Sequence, residues 1–126
     1  MPVNVSFEEP ARFVLDGTGA ISGADAIGAF EQVRAHPSFG SGATLLAIAH
    51  HITSAPRTEE LRDIATSAIA LKDGGMAGFA IVTDPGFTYG VARMFSALAD
   101  LAGVPVEVFL DVHEARSRLD EISRAA

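Results

Sequence analysis

The chain has 126 residues, of which 48% are hydrophobic and 20% charged, so it can form a packed core. Its formal net charge of −7 argues against a nucleic-acid or anionic-membrane partner, because both need a surplus of Lys and Arg on one face. The sequence contains no cysteine, which excludes disulfides, thiolate metal ligands and a cysteine nucleophile.

The start of the chain and its composition suggest a cellular setting. The run Met1 to Val5 lacks the basic start and apolar stretch of a signal peptide. No apolar run approaches the roughly 20 residues that cross a bilayer. We therefore expect a cytoplasmic protein without a membrane span. Lys72 is the only lysine, and together with abundant Ala and Gly this favours a bacterial source.

Two half-polar strands are predicted at the start of the chain. Val3, Val5 and Phe7 alternate with polar residues, which is the period of a strand with one buried face. The run Arg12 to Leu15 alternates again, and Asp16 to Gly19 is expected to end it.

The next elements are amphipathic helices with recognisable starts. Ser22 and Asp25 have the spacing of a capping box, and they precede a helical pattern that Pro37 closes. Thr58 is the expected N-cap of a second helix, whose first turn carries two glutamates that favour the helix dipole.

Two further runs, Thr44 to Ala49 and Gly78 to Thr83, are apolar on both faces, as expected of central parallel strands covered on both sides. The remaining predicted elements are a helix from about Thr88 to Leu101, a strand at Val106 to Leu110, and a last helix after the capping pair Asp111 and Glu114.

The predicted order is therefore β-β-α-β-α-β-α-β-α, an α/β fold in one domain over residues 1–126. Alternating units of this kind form a mostly parallel sheet with right-handed crossovers, here five strands and four helices. The half-polar strands are expected at the edges of the sheet and the fully apolar ones at its centre.

Several short motifs accompany this element order. They are Gly19-Ala20-Ile21-Ser22, His36-Pro37-Ser38-Phe39, Thr58 to Arg62, Phe87 to Phe95, and Val108 to Ala115. In this order and spacing, over nearly the whole chain, they resemble an uncharacterised bacterial branch of the STAS-like, or SpoIIAA-like, superfamily.

The resemblance implies a βα superhelix and a role in protein–protein regulation, or in carrying a lipid as in a distant group of the same architecture. Anti-sigma antagonists of the superfamily carry a phosphorylatable Ser after the central strand. Here the corresponding segment, expected to be a loop, contains Thr53 and Ser54 without the Asp-Ser-Ser-Gly type of motif. The partner-switch mechanism is therefore not carried over, and phosphorylation of either residue is left open.

A binding site is expected at the carboxyl edge of the sheet, where ligands gather in open parallel α/β folds. We expect a non-catalytic binding or regulatory domain, with no cofactor, that takes a protein partner or a small apolar or amphipathic ligand. The predicted ligand-binding residues are Tyr89, Arg93, Phe87, His50, Met94 and Ile52, with Phe95 and Phe109 beside them. Arg93 or His50 would meet a polar head group.

An enzyme is the alternative: a small hydrolase or lyase that uses His50 or His51 with Asp84 or Asp111. The sequence lacks a Gly-x-Ser-x-Gly nucleophile elbow. A metal site is not expected, because neighbouring residues of a strand point to opposite faces and the two histidines would diverge. A homodimer through an exposed strand or helix is a further possibility.

The turn from Asp84 to Gly90 has two interpretations. It is either a strand-to-helix turn in which Asp84 or Thr88 caps the helix, or an anion site in which Arg93 assists the glycine amides.

Overall fold

The computed structural model describes residues 2–125, so Met1 and Ala126, the ends of the predicted domain, lie outside the described residues. The strands are β1 (Val3–Glu8), β2 (Arg12–Ala20), β3 (Thr44–Ser54), β4 (Gly78–Thr83) and β5 (Val106–Phe109). The helices are α1 (Gly23–Ala35), α2 (Thr58–Asp73), α3 (Phe87–Leu101) and α4 (Val112–Ala125).

The five strands form one mixed sheet in the sequential order β1-β2-β3-β4-β5. β1 pairs with β2 antiparallel, and the other neighbouring strands pair parallel. The predicted element order and mostly parallel sheet are confirmed. Strands β1 and β5 form the edges, and the apolar strands β3 and β4 lie inside. The expectation that the half-polar strand β2 also lies at an edge is wrong, because it pairs with both β1 and β3, and its residues Phe13, Val14 and Leu15 are buried on both faces.

Two strands extend beyond their predicted ends. β2 continues through Asp16 to Gly19 and reaches Ala20, where shifts in register absorb the glycines that were expected to end it. β3 continues to Ser54, so the predicted loop after Ala49 is largely strand. The Ile21 amide donates to the Ser54 carbonyl at 2.9 Å, which fastens the two strand ends together.

Of the N-caps predicted for α1 and α2, the structure contains only the first. The Ser22 and Asp25 capping box of α1 is confirmed, with the Asp25 amide donating to Ser22 Oγ at 3.1 Å. Thr58 as an N-cap is wrong: Arg57 holds that position, and its amide donates to Glu60 Oε1 at 2.9 Å.

The start of α3 also differs from the prediction. Its N-cap is Gly86, whose φ of 103° lies in the left-handed region that favours glycine. Neither Asp84 nor Thr88 caps the helix, because no side chain accepts a cap hydrogen bond there. Asp84 instead accepts from the His51 amide at 3.0 Å. The helix begins at Phe87, one residue before its predicted start at Thr88.

Each face of the sheet has its own core. Helices α1, α2 and α3 cover one face, where the core includes Phe13, Leu45 and Phe95. Helix α4 covers the other face, where Leu46 and Leu119 are fully buried. Phe109 belongs to the α4 core and therefore lies across the sheet from Phe95, not beside it as predicted.

Candidate functional site

An apolar cleft of about 160 Å³ lies between the carboxyl half of the sheet and helices α1, α2 and α3. Thr83 and Thr88 are the only residues with polar side chains among those that line it. The inner wall includes Leu15, Ala49 and Ile81 from the strands, and the outer wall includes Phe30, Leu61, Ile64, Val91 and Phe95 from the helices.

The cleft owes its shape to the side chains that β2, β3 and β4 present to these helices. Residues paired across the three strands form rows, each nearer the carboxyl edge than the last. In that direction the rows are Phe13, Leu45 and Phe79; then Leu15, Ala47 and Ile81; then Gly17, Ala49 and Thr83. The side chains shrink from row to row. Since the largest row sets the distance of the helices from the sheet, the last row leaves a space.

The polar side chain on the floor of the cleft, that of Thr83, has a hydrogen-bond partner. Thr83 is 3% exposed, and its Oγ1 donates to the carbonyl of Asp84 at 2.9 Å. The mouth is formed by half-buried residues, among them Ile21, Ile52 and Pro56. A hydrocarbon group can therefore enter from solvent without leaving a buried polar atom unpaired.

Glu60, the neighbour of the cleft-lining Leu61, joins the start of α1 to the start of α2. Its Oε1 accepts from the Arg57 amide and its Oε2 from the Gly23 amide, each at 2.9 Å. These hydrogen bonds, the one from Arg57 foremost, lower the pKa of Glu60. A Cβ on Gly23 would lie 2.8 Å from Glu60 Cβ, so glycine allows this close approach of α1 and α2.

The first turn of α3 lies at the same mouth, since Thr88 lines the cleft. This turn has no side-chain cap and no acidic residue, whereas the first turns of α1 and α2 carry Asp25 and Glu60. Amides at an uncapped helix start favour a negatively charged or carbonyl group. A polar head group would therefore be met best at the α3 side of the mouth.

Of the six predicted ligand-binding residues, Ile52 lines the cleft and the other five are not among its lining residues. Phe87 and Met94 lie on the outer surface of α3, 76% and 46% exposed. The Arg93 guanidinium donates to Tyr89 Oη at 3.1 Å and lies 5.8 Å from the centre of its ring. The structure thus pairs Tyr89 with Arg93 outside the cleft.

His50 lies at the same edge but on the α4 side of the sheet. It follows Ile48, which packs against the α4 core, by two residues, and its Nε2 is 2.8 Å from Asp16 Oδ1. The expected divergence of the two histidine rings is wrong, because their centroids lie only 5.2 Å apart. His51 has a φ of 52°, which breaks the alternation of the strand at that residue.

No hydrogen bond between side chains joins His50 or His51 to Asp84 or Asp111, all four of which lie in the described part of the chain. Asp84 accepts from the His51 backbone amide, and Asp111 accepts from the His113 backbone amide at 2.8 Å. Among residues 2–125, no group of three or more His, Asp or Glu side chains is arranged to hold a metal ion. In the same part of the chain, no helix combines the length and apolarity needed to cross a membrane.

Comparisons with protein-family models, with curated proteins and with solved structures gave no match to this chain. The assignment of the site therefore depends on its geometry.

The row formed by Gly17, Ala49 and Thr83 was not identified from the sequence. At alternate positions of β2 and β4 the side chains become smaller at each step, as in Phe79, Ile81 and Thr83, whereas β3 has one large residue followed by two alanines. That signal is present in the sequence, but it predicts a cleft only when the register that aligns the three strands is known.

Proposed function

We propose that this chain is a non-catalytic STAS-like domain that binds a small apolar or amphipathic ligand in the cleft beneath α1, α2 and α3. The observation that carries the proposal is the row of small residues at the carboxyl edge, which leaves about 160 Å³ of apolar space. An apolar cleft with a few polar groups at its mouth is the general form of a small-molecule site.

The volume limits the ligand. It is below the roughly 300–1,000 Å³ of sites for drug-sized molecules, and close to the roughly 150 Å³ of an apolar cavity that admits benzene. The occupant is therefore a short alkyl chain or a single ring, not a whole membrane lipid. The uncapped first turn of α3 favours a ligand whose polar end is a carboxylate or carbonyl group.

The superfamily assignment is part of the same proposal. A sequential strand order with α1, α2 and α3 on one face is what successive right-handed βα units of a superhelix produce. The alternative is a regulatory role through a protein partner, as in the better-known members that this chain resembles. Titration with carboxylates separates this alternative from ligand binding.

The first experiment is native mass spectrometry of freshly purified protein, followed by solvent extraction of any bound compound. The second is a calorimetric titration with carboxylates from butanoate to dodecanoate, and with octanol as the uncharged match of octanoate. Each added methylene buried in the cleft contributes about 0.8 kcal/mol, or about fourfold in affinity. We expect this gain to stop when the chain fills the cleft.

Ala49→Leu is the test variant, because it places a branched side chain in the last row. Ala35→Leu is the matched control, since Ala35 is exposed in α1 and does not line the cleft. We expect octanoate binding to be lost in the first variant and kept in the second. If Ala49→Leu binds octanoate as the parent does, or if no carboxylate binds the parent, the ligand proposal is wrong and a protein partner becomes the better reading.

The residues predicted from the sequence need their own test. Tyr89→Ala and Arg93→Ala remove the pair on α3 that was expected to meet the head group. If both leave octanoate affinity unchanged while Ala49→Leu abolishes it, the site is the cleft alone. A hydrolytic screen with His50→Ala and His51→Ala tests the enzyme alternative, which requires an activity that both changes abolish.

A further inference from the structure

Helix α3 carries an apolar stripe on its solvent side. The stripe consists of Phe87, Gly90, Met94, Ala97 and Leu101, all exposed. Its three large side chains are 76%, 46% and 85% exposed. They account for three of the four large hydrophobic side chains that are exposed among residues 2–125. Such a concentration on one helix face is typical of an interaction surface.

The spacing of the stripe is that of a helix pairing with another helix. The steps between successive members are three, four, three and four residues, which is the a/d pattern of a heptad repeat. The buried face of the same helix carries Ala92, Phe95 and Ala99. α3 therefore has two apolar faces. Its own fold covers one of them and touches the other at Met94, whose Sδ accepts a hydrogen bond from Thr58 Oγ1 of α2 at 3.8 Å.

The charges beside the stripe favour a second copy of this chain over another partner. Arg93 and Asp100 are seven residues apart, both exposed and both at the g position next to the stripe. Among residues 2–125, neither belongs to an ion pair. When two copies of α3 pack antiparallel, g positions face each other, and each Arg93 then lies near Asp100 of the second copy.

We propose that the chain forms a two-fold symmetric homodimer through this stripe, with antiparallel α3 helices and two intermolecular pairs between Arg93 and Asp100. The small residues Gly90 and Ala97 allow close approach of the helices. At 15 residues, α3 is about 22 Å long. An interface confined to it falls below the roughly 800 Å² per partner of a stable complex, so the dimer dissociates on dilution.

Three of the residues in this interface, Phe87, Arg93 and Met94, were predicted from the sequence to bind a ligand. The dimer gives them a different role and is independent of the cleft, whose lining does not include them.

Sedimentation equilibrium over a range of protein concentrations tests the dimer. We expect Ala97→Glu and Leu101→Glu each to raise the dimer dissociation constant by more than about tenfold, because each sets a charge without a partner in the apolar stripe. Leu110→Glu is the matched control, since Leu110 is 52% exposed but lies outside α3. It should leave the dissociation constant unchanged. Circular dichroism establishes that each variant is folded.

A charge exchange tests the orientation. Arg93→Asp and Asp100→Arg should each weaken the dimer, whereas the double variant should restore it, as only an antiparallel pairing of these two residues would allow. A monomer at every concentration, a dimer that Leu110→Glu disrupts, or a double variant weaker than both single ones would each overturn the proposal.

Discussion

The two faces of the sheet are built from the same strands but packed in different ways. On the α4 face, Leu46 and Leu119 are fully buried, and a Cβ on Gly78 would lie only 3.0 Å from Ile122 Cδ1. On the other face, the row that ends in Thr83 leaves a cleft. The difference shows that side-chain size in adjacent strands is enough to open a cleft under the helices, while connecting residues such as Ile21 and Pro56 only border it.

The largest expected effect comes from deleting apolar atoms on the filled face. Leu46→Ala should lower the free energy of unfolding by about 2–5 kcal/mol, because its surroundings are closed and a cavity remains. Ile52→Ala in the mouth of the cleft should cost only about 1 kcal/mol, since this half-buried side chain already borders open space. Urea denaturation measures both. Equal losses would mean that the two faces are packed alike.

Ligand binding should stabilise the whole domain, but only when the cleft is open to receive the ligand. At a free octanoate concentration of 100 times the dissociation constant, the free energy of unfolding should rise by about 2.7 kcal/mol. We expect the same rise in Ala35→Leu and none in Ala49→Leu, as measured by urea denaturation with and without octanoate. A rise in Ala49→Leu would place the ligand elsewhere on the molecule.

Substitutions that add atoms test the same difference in packing between the two faces. Ala80 is fully buried on the α4 face, and Ala80→Leu should destabilise the protein by about 1–3 kcal/mol through overpacking. Ala49→Leu adds the same atoms to the cleft and should change stability by less than about 1 kcal/mol. A loss in Ala49→Leu as large as that in Ala80→Leu would show that the cleft closes in solution.

Much of the fold follows from local patterns in the sequence, because strand and helix periods are properties of neighbouring residues. The Ser22 and Asp25 capping box is such a pattern, and it was predicted correctly. The ends of β2 and β3 were not, because glycines read as breaks are absorbed by register shifts that depend on the neighbouring strand.

The candidate site was predicted only as a location, the carboxyl edge of the sheet. Of the predicted residues, Ile52 lines the cleft, whereas the aromatic residues Phe87 and Tyr89 of α3 do not. The cleft depends on small residues that are distant in sequence and carry no chemical signal of their own. Alanine and glycine become informative only when pairing aligns them, as with Gly17 and Ala49.

The smallest expected effect on stability concerns two carboxylates: Glu8, which pairs with α4, and Glu60, which joins α1 and α2. Glu8 on β1 accepts two hydrogen bonds from Arg116 on α4, the shorter at 2.8 Å. These hydrogen bonds lower the pKa of Glu8 from its ordinary value of 4.5. A lowered carboxyl pKa in the folded state stabilises the protein above pH 4.5, and this contribution is lost as pH falls through the folded pKa.

Glu8→Gln should therefore reduce stability at pH 7 by less than about 1 kcal/mol, because the Glu8 and Arg116 side chains are 42% and 35% exposed. The difference from the parent should shrink below pH 4.5, as urea denaturation at a series of pH values would measure.

Glu60→Gln is the corresponding variant beside the cleft, where α1 and α2 share one carboxylate. Its loss of stability relative to the parent should also shrink as the pH falls. Only Glu60→Gln should also weaken octanoate binding, because only Glu60 joins two of the helices that line the cleft. A change of octanoate affinity in Glu8→Gln would mean that the two faces are coupled through the sheet.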